Sequence, residues 1–499
     1  MTLTKDAATD WHARAAAVQV PADLFIDGRR VPAASGERYD DVSPLDGRVV
    51  AQVAAAGAED VDRAVRAGRR AFEDGVWAQA DPRHRKEVLL RWADLLREHT
   101  EELALLETLD VGKPIGDTLA VDVAGAARTI QWYAEALDKT YDEIAPAPRR
   151  ALAMVTREPL GVVGAVVPWN YPLIISAWKV GPALAAGNSV VLKPAEESPL
   201  TALRIAELAV QAGLPDGVLN VVPGLGHVAG AALGRHPDVA KIAFTGSGQV
   251  GRYFLQYAAE SNAKQVSLEL GGKSAQVVLP DADLDAAASA IGWGIYYNAG
   301  QTCNAGSRVV AHESVREELL DKVVEFARGF GVGDPLDPTT QMGTLVSAEH
   351  RARVMAYVDL AREEGGRIVA GGRAYEDERG GLFVEPTVVD DVAHHTRTVQ
   401  EEIFGPVLVV QSAKDVDEAV ATANGTAYGL AASVWTRDLS TAHTVARRLH
   451  AGTVWVNTFD ASDVITPFGG FKESGAGRDK SLHALDAYTQ LKTTWIDLG

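Results

Sequence analysis

Cys303 is the only cysteine in 499 residues, and it lies in the run IYYNAGQTCNAGS from Ile295 to Ser307. Gly300 and Gly306 let backbone come close to a ligand there, and Gln301, Thr302 and Asn304 surround the thiol with polar groups. A lone free cysteine is either a small buried hydrophobe or a nucleophile. The uncharged, turn-like flanks favour a thiolate that attacks an electrophilic carbon. Such chemistry needs a base. Glu269, in SLELGGKS, is an acid at the end of an apolar run followed by two glycines. Burial there would disfavour its charged form and suit it to accept a proton near neutral pH, unless it is a strand-end surface acid. Asn170, between Trp169 and Pro172, offers an amide donor in a stiff segment or is a turn asparagine. Glu402, in EEIFGPV beside Phe404, is a site carboxylate or an exposed loop acid.

A second group of residues suits a nucleotide. In VVLKPAEESP, Lys193 and Glu196 stand just past an apolar run with Pro194 fixing the turn between them. They form either a solvated pair or a grip on the two hydroxyls of an adenosine ribose. A carboxylate there would repel a 2'-phosphate, which favours NAD over NADP. In FTGSGQVG, Thr245 to Ser247 end a strand and Gln249 begins a helix whose free amides would suit a phosphate. GLGHVAG from Gly224 is a cofactor loop or a tight turn, since its spacing is not that of the dinucleotide fingerprint.

The elements that must carry these groups alternate. From Gly161 the runs GVVGAVV, SVVLK, VLNVV, KIAFT and VSLEL read as buried strands. Helices are predicted between them at 173–186, 201–212, 227–233 and 250–260. A second set follows Lys273, with strands at 275–279, 307–311, 407–410, 431–435 and 453–456 and helices at 283–297, 313–329, 348–364, 416–423 and 439–448. Strand and helix alternating at this interval imply parallel sheets covered on both faces, with ligands at the carboxyl ends of the strands. Ahead of them, LFIDGRRV reads as a hairpin, and helices are predicted through Val61 to Phe72, Val88 to Leu96 after an Asp81-Pro82 start, 101–111 and 126–137. The closing TTWIDL reads as a strand with no partner in the sequence, free to join another subunit's sheet edge.

Composition narrows the class. A chain of this length suggests roughly three domains. The net charge of -19 argues against nucleic acid and anionic membranes as partners. One cysteine excludes an intramolecular disulfide and fits a reducing, cytoplasmic setting. The opening MTLTKDAATDWHARAAAVQV lacks the apolar core of a targeting segment, and the most apolar later run, 161–180, is broken by Pro168, Asn170, Pro172 and Lys179, so no membrane span is expected. The 12 histidines show no metal-ligand spacing, so no metal is expected.

The segments ETLDVGKP, VPWNYP, GPALAAGNSVVLKPAEESP, GLPDGVLNVV, FTGS, LELGGKS, GQTC, EEIFGPV and PFGGFKESG follow one another in an order that resembles the NAD(P)-dependent aldehyde dehydrogenases over nearly the whole chain. The resemblance implies an α/β fold with a Rossmann-like parallel-sheet cofactor domain (1–137 and 155–271), an α/β catalytic domain (272–466), and a small β oligomerisation arm with the tail (138–154 and 467–499). It implies Cys303 as nucleophile, Glu269 as general base, and Asn170 as an oxyanion donor together with the Cys303 amide. On the cofactor side it implies Val167, Trp169, Lys193, Glu196, Gly226, Gly230, Gly246, Ser247, Val250 and Leu270, with Glu402 and Phe404 at the nicotinamide ribose. Tyr171, Trp178, Tyr297 and Phe459 match an aromatic substrate tunnel, with Asp460 and Asp463 near its polar end or simply in solution. Glu269 also favours release of a free acid, since relatives that pass the acyl group to coenzyme A generally lack it. The stretches GRDKSLHALDAYTQLKTTWI and GAARTIQWYAEALDK are similar to bacterial γ-glutamyl-γ-aminobutyraldehyde dehydrogenases of putrescine breakdown. That similarity implies 4-(γ-glutamylamino)butanal or a related aminoaldehyde as substrate, NAD as cofactor and a homodimer or homotetramer. Broad-specificity and betaine aldehyde dehydrogenases are the alternatives within the family. Outside it stand a catalytically silent protein of the same fold and a cysteine hydrolase, though no histidine lies in a recognisable base motif for the latter.

Overall fold

The computed structural model describes residues 9–499, so residues 1–8 of the opening segment read for targeting lie outside it. Two sheets organise the chain. The first has eight strands, in the order Arg29–Val31, Leu24–Ile26, Leu219–Val221, Ser189–Lys193, Val162–Val166, Val239–Thr245, Gln265–Glu269 and Gly475–Ala476. The five consecutive strands from Leu219–Val221 to Gln265–Glu269 are parallel. Val162–Val166 and Ser189–Lys193 are buried throughout, as unbroken β-branched runs between two helical layers require. The chain leaves Val162–Val166 for the neighbour on one side and returns to the strand on the other, so a crevice opens at the carboxyl ends of these strands.

The second sheet runs Arg367–Ala370, Thr387–Asp390, Val407–Ala413, Arg308–His312, Ala275–Val278, Ala431–Trp435 and Thr453–Val456. The five strands expected from the sequence form its parallel body. Thr387–Asp390 extends it in parallel and Arg367–Ala370 closes the edge antiparallel.

The hairpin expected at 24–31 forms, and Phe25 pairs antiparallel with Val221, which joins it to the first sheet. Two expectations change. The helix expected at 227–233 divides into a π-helical turn, Gly226–Gly230, and a short helix, Ala231–Arg235. The terminal strand has a partner in its own chain. Thr489–Asp497 pairs antiparallel with Ala151–Pro159, which also pairs with Glu143–Ala145. The run ALAMVTREP carries Arg157, Glu158 and Pro159 and no clean alternation, so it gave no strand signal. The arm boundary expected at 154 falls inside this strand, and within 467–499 the pair Gly475–Ala476 belongs to the edge of the first sheet.

Local signals explain the helix ends. Asp81 accepts a hydrogen bond from Arg83 N with Pro82 in the first turn, and Gly112, at φ 75°, closes Thr100–Val111. Helix Leu284–Tyr296 ends where Asn298, Ala299 and Gly300 take φ of 50°, 53° and 69°. This left-handed run turns the chain sharply and delivers the loop that carries Cys303.

Candidate active site

The Cys303 loop is fixed by amides rather than by apolar packing. Asn170 Nδ2 donates to Gln301 O at 2.9 Å, and Asn298 Nδ2 donates to Asn170 O at 3.1 Å and Gln301 O at 3.2 Å. The Gln301 side chain accepts from Val346 N at 3.0 Å and donates to Asn298 O at 3.2 Å. Gly300 and Gly272 admit close backbone contact here. A Cβ on Gly300 would lie 2.2 Å from Gly405 O, and one on Gly272 would lie 2.7 Å from Cys303 O. Asn170 uses one of its two amide hydrogens on Gln301, which orients the other. Among the described residues the Cys303 N–H donates to no protein acceptor.

Two cavities meet at this thiol. One, of about 180 Å³, is lined by Asn170, Glu269, Glu402 and Phe404 together with Cys303. The other, of about 310 Å³, is lined by Tyr171, Trp178 and Tyr297, again with Cys303. Glu269 reaches the first from the end of Gln265–Glu269, opposite Thr245 of the neighbouring strand. It is 3% exposed, and its Oε1 has no hydrogen-bond partner. Burial raises its carboxyl well above the ordinary carboxylate range, and the Asp479 charge adds to this, while Lys179, Arg478 and Lys480 oppose it. Burial also raises the Cys303 thiol, and the Glu269, Glu402 and Asp460 carboxylates raise it further. Burial thus opposes ionisation of both the thiol and the carboxyl.

The first cavity opens on the carboxyl ends of the parallel strands. Trp169, Gly246, Ser247 and Leu270 line it with the residues above. Ser247 caps helix Gly248–Glu260, accepting from Val250 N at 3.3 Å, and Val250 itself is 38% exposed. Trp169 packs edge-on to Phe404 with ring centroids 5.3 Å apart. Glu402 Oε1 accepts from Gly272 N at 3.0 Å, and burial lifts this carboxyl to about 7.

Lys193, Glu196, Gly226 and Val167 lie outside this cavity, farther along the strand ends. Lys193 Nζ donates to Glu196 Oε2 at 3.1 Å, Gly226 N donates to Glu196 Oε1 at 2.5 Å, and Val167 N donates to Lys193 O at 3.1 Å. Gly230 is buried, and a Cβ there would lie 3.9 Å from the Phe254 ring. The arrangement fits a dinucleotide: a helix N-terminus for phosphate, a carboxylate pre-oriented by two donors for a diol, and a cavity that ends at the thiol.

In the second cavity, Tyr171 OH and Thr302 Oγ1 share a hydrogen bond at 3.1 Å, and the buried Lys113 ammonium lies 3.7 Å from the Tyr171 ring centroid. Phe459 does not line this cavity. It packs on Trp455 at 4.8 Å beside Gly294 and Gly306, whose missing side chains make room for its ring. Phe468, 5.3 Å from Trp178, stands in the aromatic wall instead. Asp460 accepts from Asn304 Nδ2 at 2.7 Å, and Asp463 pairs with Arg128.

Sequence reasoning missed Lys480, Arg128 and Phe468 here, and His350 and Arg353 on the other side. His350 and Arg353 share one face of helix Ala348–Glu363, and they bond Phe404 O at 2.7 Å and Glu402 O at 2.9 Å. That spacing was a usable signal. For Lys480, in a charged tail segment, there was none.

Comparisons with known proteins agree with this geometry. A profile described as "Aldehyde dehydrogenase family" matches residues 31–494. The chain is 53% identical to aminoacetaldehyde dehydrogenase of Pseudomonas aeruginosa over 490 residues, covering 98% of each. A solved structure of γ-glutamyl-γ-aminobutyraldehyde dehydrogenase from Burkholderia cenocepacia is 56% identical with a TM-score of 0.96, over 98% of this chain and 99% of the other. An indole-3-acetaldehyde dehydrogenase solved with NAD+ is 52% identical with a TM-score of 0.97, over 98% and 99%.

Proposed function

This chain belongs to the aldehyde dehydrogenase family, and from that premise we propose that it oxidises an aminoaldehyde to the free acid with NAD, through Cys303 as nucleophile and Glu269 as base. The observation that carries the proposal is the position of Cys303 where the two cavities meet, with Glu269 and its unpartnered oxygen in the wall of one of them.

Glu269, directly or through one water, takes the proton from the thiol, and Sγ adds to the aldehyde carbon. Asn170 Nδ2 and the Cys303 amide donate to the oxyanion that forms, each contributing about 3 kcal/mol in sites of this kind. When bound, the nicotinamide supplies the two-electron acceptor for oxidation of the tetrahedral adduct. Cys303 then holds the acyl group as a thioester. Glu269, once it has passed the thiol proton to solvent, deprotonates a water that attacks this carbonyl; the acid leaves and the Cys303 thiolate is reprotonated. Ser247 and the first turn of its helix would receive the pyrophosphate, Glu196 the adenosine ribose, and Glu402 with Phe404 the nicotinamide ribose. The Glu196 carboxylate would repel a 2'-phosphate, which supports NAD over NADP.

The proposed substrate is 4-(γ-glutamylamino)butanal or a related aminoaldehyde. The roomy aromatic cavity and the similarity to relatives named for such substrates support it. The indole-3-acetaldehyde relative is of nearly equal similarity, so identity alone does not choose among aldehydes. Oligomerisation as a homodimer or homotetramer is proposed on the apolar side chains exposed on the three-stranded sheet, including Ile144 at 72%, Leu491 at 63% and Trp495 at 59%. A cytoplasmic location is proposed on the single cysteine, and among the described residues no helix is long and apolar enough to cross a membrane.

Following NADH absorbance and acyl-enzyme tests the assignment. Cys303→Ala should abolish NADH formation, whereas Glu269→Gln should leave a slow approach to one equivalent of NADH and an accumulating thioester. Normal steady-state turnover in the glutamine variant would remove Glu269 from the base role.

A further inference from the structure

Lys480 brings into the substrate cavity a positive charge for which the reaction has no use. It is 3% exposed, and its ammonium stands 5.3 Å from the Trp178 ring centroid and 5.4 Å from that of Phe468. Those are the ring faces that would otherwise receive a substrate cation. Its hydrogen-bond partner is a neutral hydroxyl, Ser462 Oγ. Asp460 and Asp463 line the same cavity and, with Asp479, favour the ammonium charge that burial opposes; none of the three forms an ion pair with it, since Asp479 pairs with Lys179 at 2.5 Å, Asp463 with Arg128, and Asp460 accepts from the Asn304 amide. An ammonium has three donors, so a ligand can take those that Ser462 does not.

The backbone at this point is built to aim the side chain. Lys480 and Ser481 take φ of 60° and 54°, consecutive left-handed residues of which neither is glycine. Such conformations are disfavoured for residues with a Cβ and persist where the surroundings impose them. Here Asp479 and Phe468 exchange both backbone hydrogen bonds at 2.8 Å, Ser481 N donates to Val464 O at 2.7 Å, and Tyr133 OH donates to Ser481 O at 3.3 Å.

We propose that Lys480 reads the far end of the substrate, selecting aldehydes whose chain carries an oxygen acceptor, such as the amide carbonyl of an N-acylated aminoaldehyde, against those that carry a fixed cation. The inference rests on the preceding reading, in which the aldehyde enters through this cavity. Acylating an amine removes its positive charge and supplies a carbonyl. Lys480 can donate a charge-assisted hydrogen bond to that oxygen, whereas a cation at the same depth meets a like charge away from water.

Three aldehydes of similar reach provide the test: 4-acetamidobutanal, 4-(trimethylammonio)butanal and pentanal, with NAD and the full-length enzyme. Each kcat/KM is expressed relative to pentanal in the same enzyme, which cancels any effect of Lys480 on the chemical step. The wild type should prefer the acetamide to the cation by at least about tenfold, the factor that corresponds to ~1.4 kcal/mol. Lys480→Met should reduce that preference by about tenfold, chiefly through KM, and Lys480→Arg should retain most of it. A wild-type preference for the cation, or an unchanged ratio in Lys480→Met, would overturn the proposal while leaving the aldehyde dehydrogenase reading intact. Failure of the wild type to oxidise any of the three aldehydes would instead remove that reading, and this inference with it.

Discussion

At the scale of single residues, the site combines groups that resist ionisation. Burial disfavours the charge on both Cys303 and Glu269, and the Glu269 carboxylate further disfavours that of Cys303. A carboxyl with a raised pKa carries its proton below that value and cannot act as a base there. Turnover limited by thioester hydrolysis should therefore rise with pH through the Glu269 titration and then level off. Stopped-flow rates across pH should show this limb in the wild type. In Glu269→Gln the limb should vanish and the rate should fall by about 10² or more, the usual worth of a general base. Glu402, lifted to about 7, is a second buried carboxyl in the same cavity, so Glu402→Gln is the control: it should keep the limb while raising KM for NAD. Glu196 is held by Lys193 and Gly226 N. Replacing it with glutamine removes the charge that opposes a 2'-phosphate, and the NAD to NADP ratio of kcat/KM should fall by about tenfold, equivalent to ~1.4 kcal/mol.

At the scale of elements, the site is made of ends. Glu269 closes one strand, Ser247 opens one helix, and Cys303 follows the left-handed turn that ends another. Junctions of this kind depend on backbone approach, as Gly271 illustrates. A Cβ there would lie 2.1 Å from Glu402 Oε2, so Gly271→Ala must displace that carboxylate. The variant should fold with an almost unchanged melting temperature but raise KM for NAD several-fold, measured with saturating aldehyde. Equal KM values would show that Glu402 does not contact the cofactor. The alternating strands and helices were legible because burial on both faces demands unbroken apolar runs, and caps such as Asp81 and Gly112 announce themselves locally. The π-helical segments Thr118–Val123 and Gly226–Gly230 were not legible, because packing by neighbours sets an extra residue per turn.

At the scale of the whole molecule, the C-terminal stretch ties the parts together. Gly475–Ala476 closes the eight-stranded sheet, Lys480 enters the larger of the two cavities at Cys303, and Thr489–Asp497 completes the three-stranded sheet. Deleting residues 489–499 would bare the full edge of Ala151–Pro159 and remove the exposed Leu491 and Trp495. The wild type should elute with light-scattering mass at a multiple of 53.0 kDa, and the truncated chain at a smaller multiple or as aggregate. An unchanged mass in the truncated protein would show that assembly uses another surface.

The amino-acid sequence alone determined the chemistry on offer and the order of the elements. A single thiol, an acid at a strand end and glycines at turns are properties of residues close together in the chain, as are the spacings that make strands and helices. Tertiary structure alone decided which of these groups meet. Asn170 and Gln301 bond across 131 positions, two cavities converge on Cys303, and Phe468 rather than Phe459 lines the second of them. The terminal strand likewise found its partner within its own chain, and Lys480 turned inward from a segment that reads as surface. Such pairings depend on how the sheets pack against each other, and local periodicity carries no record of a contact between residues so far apart.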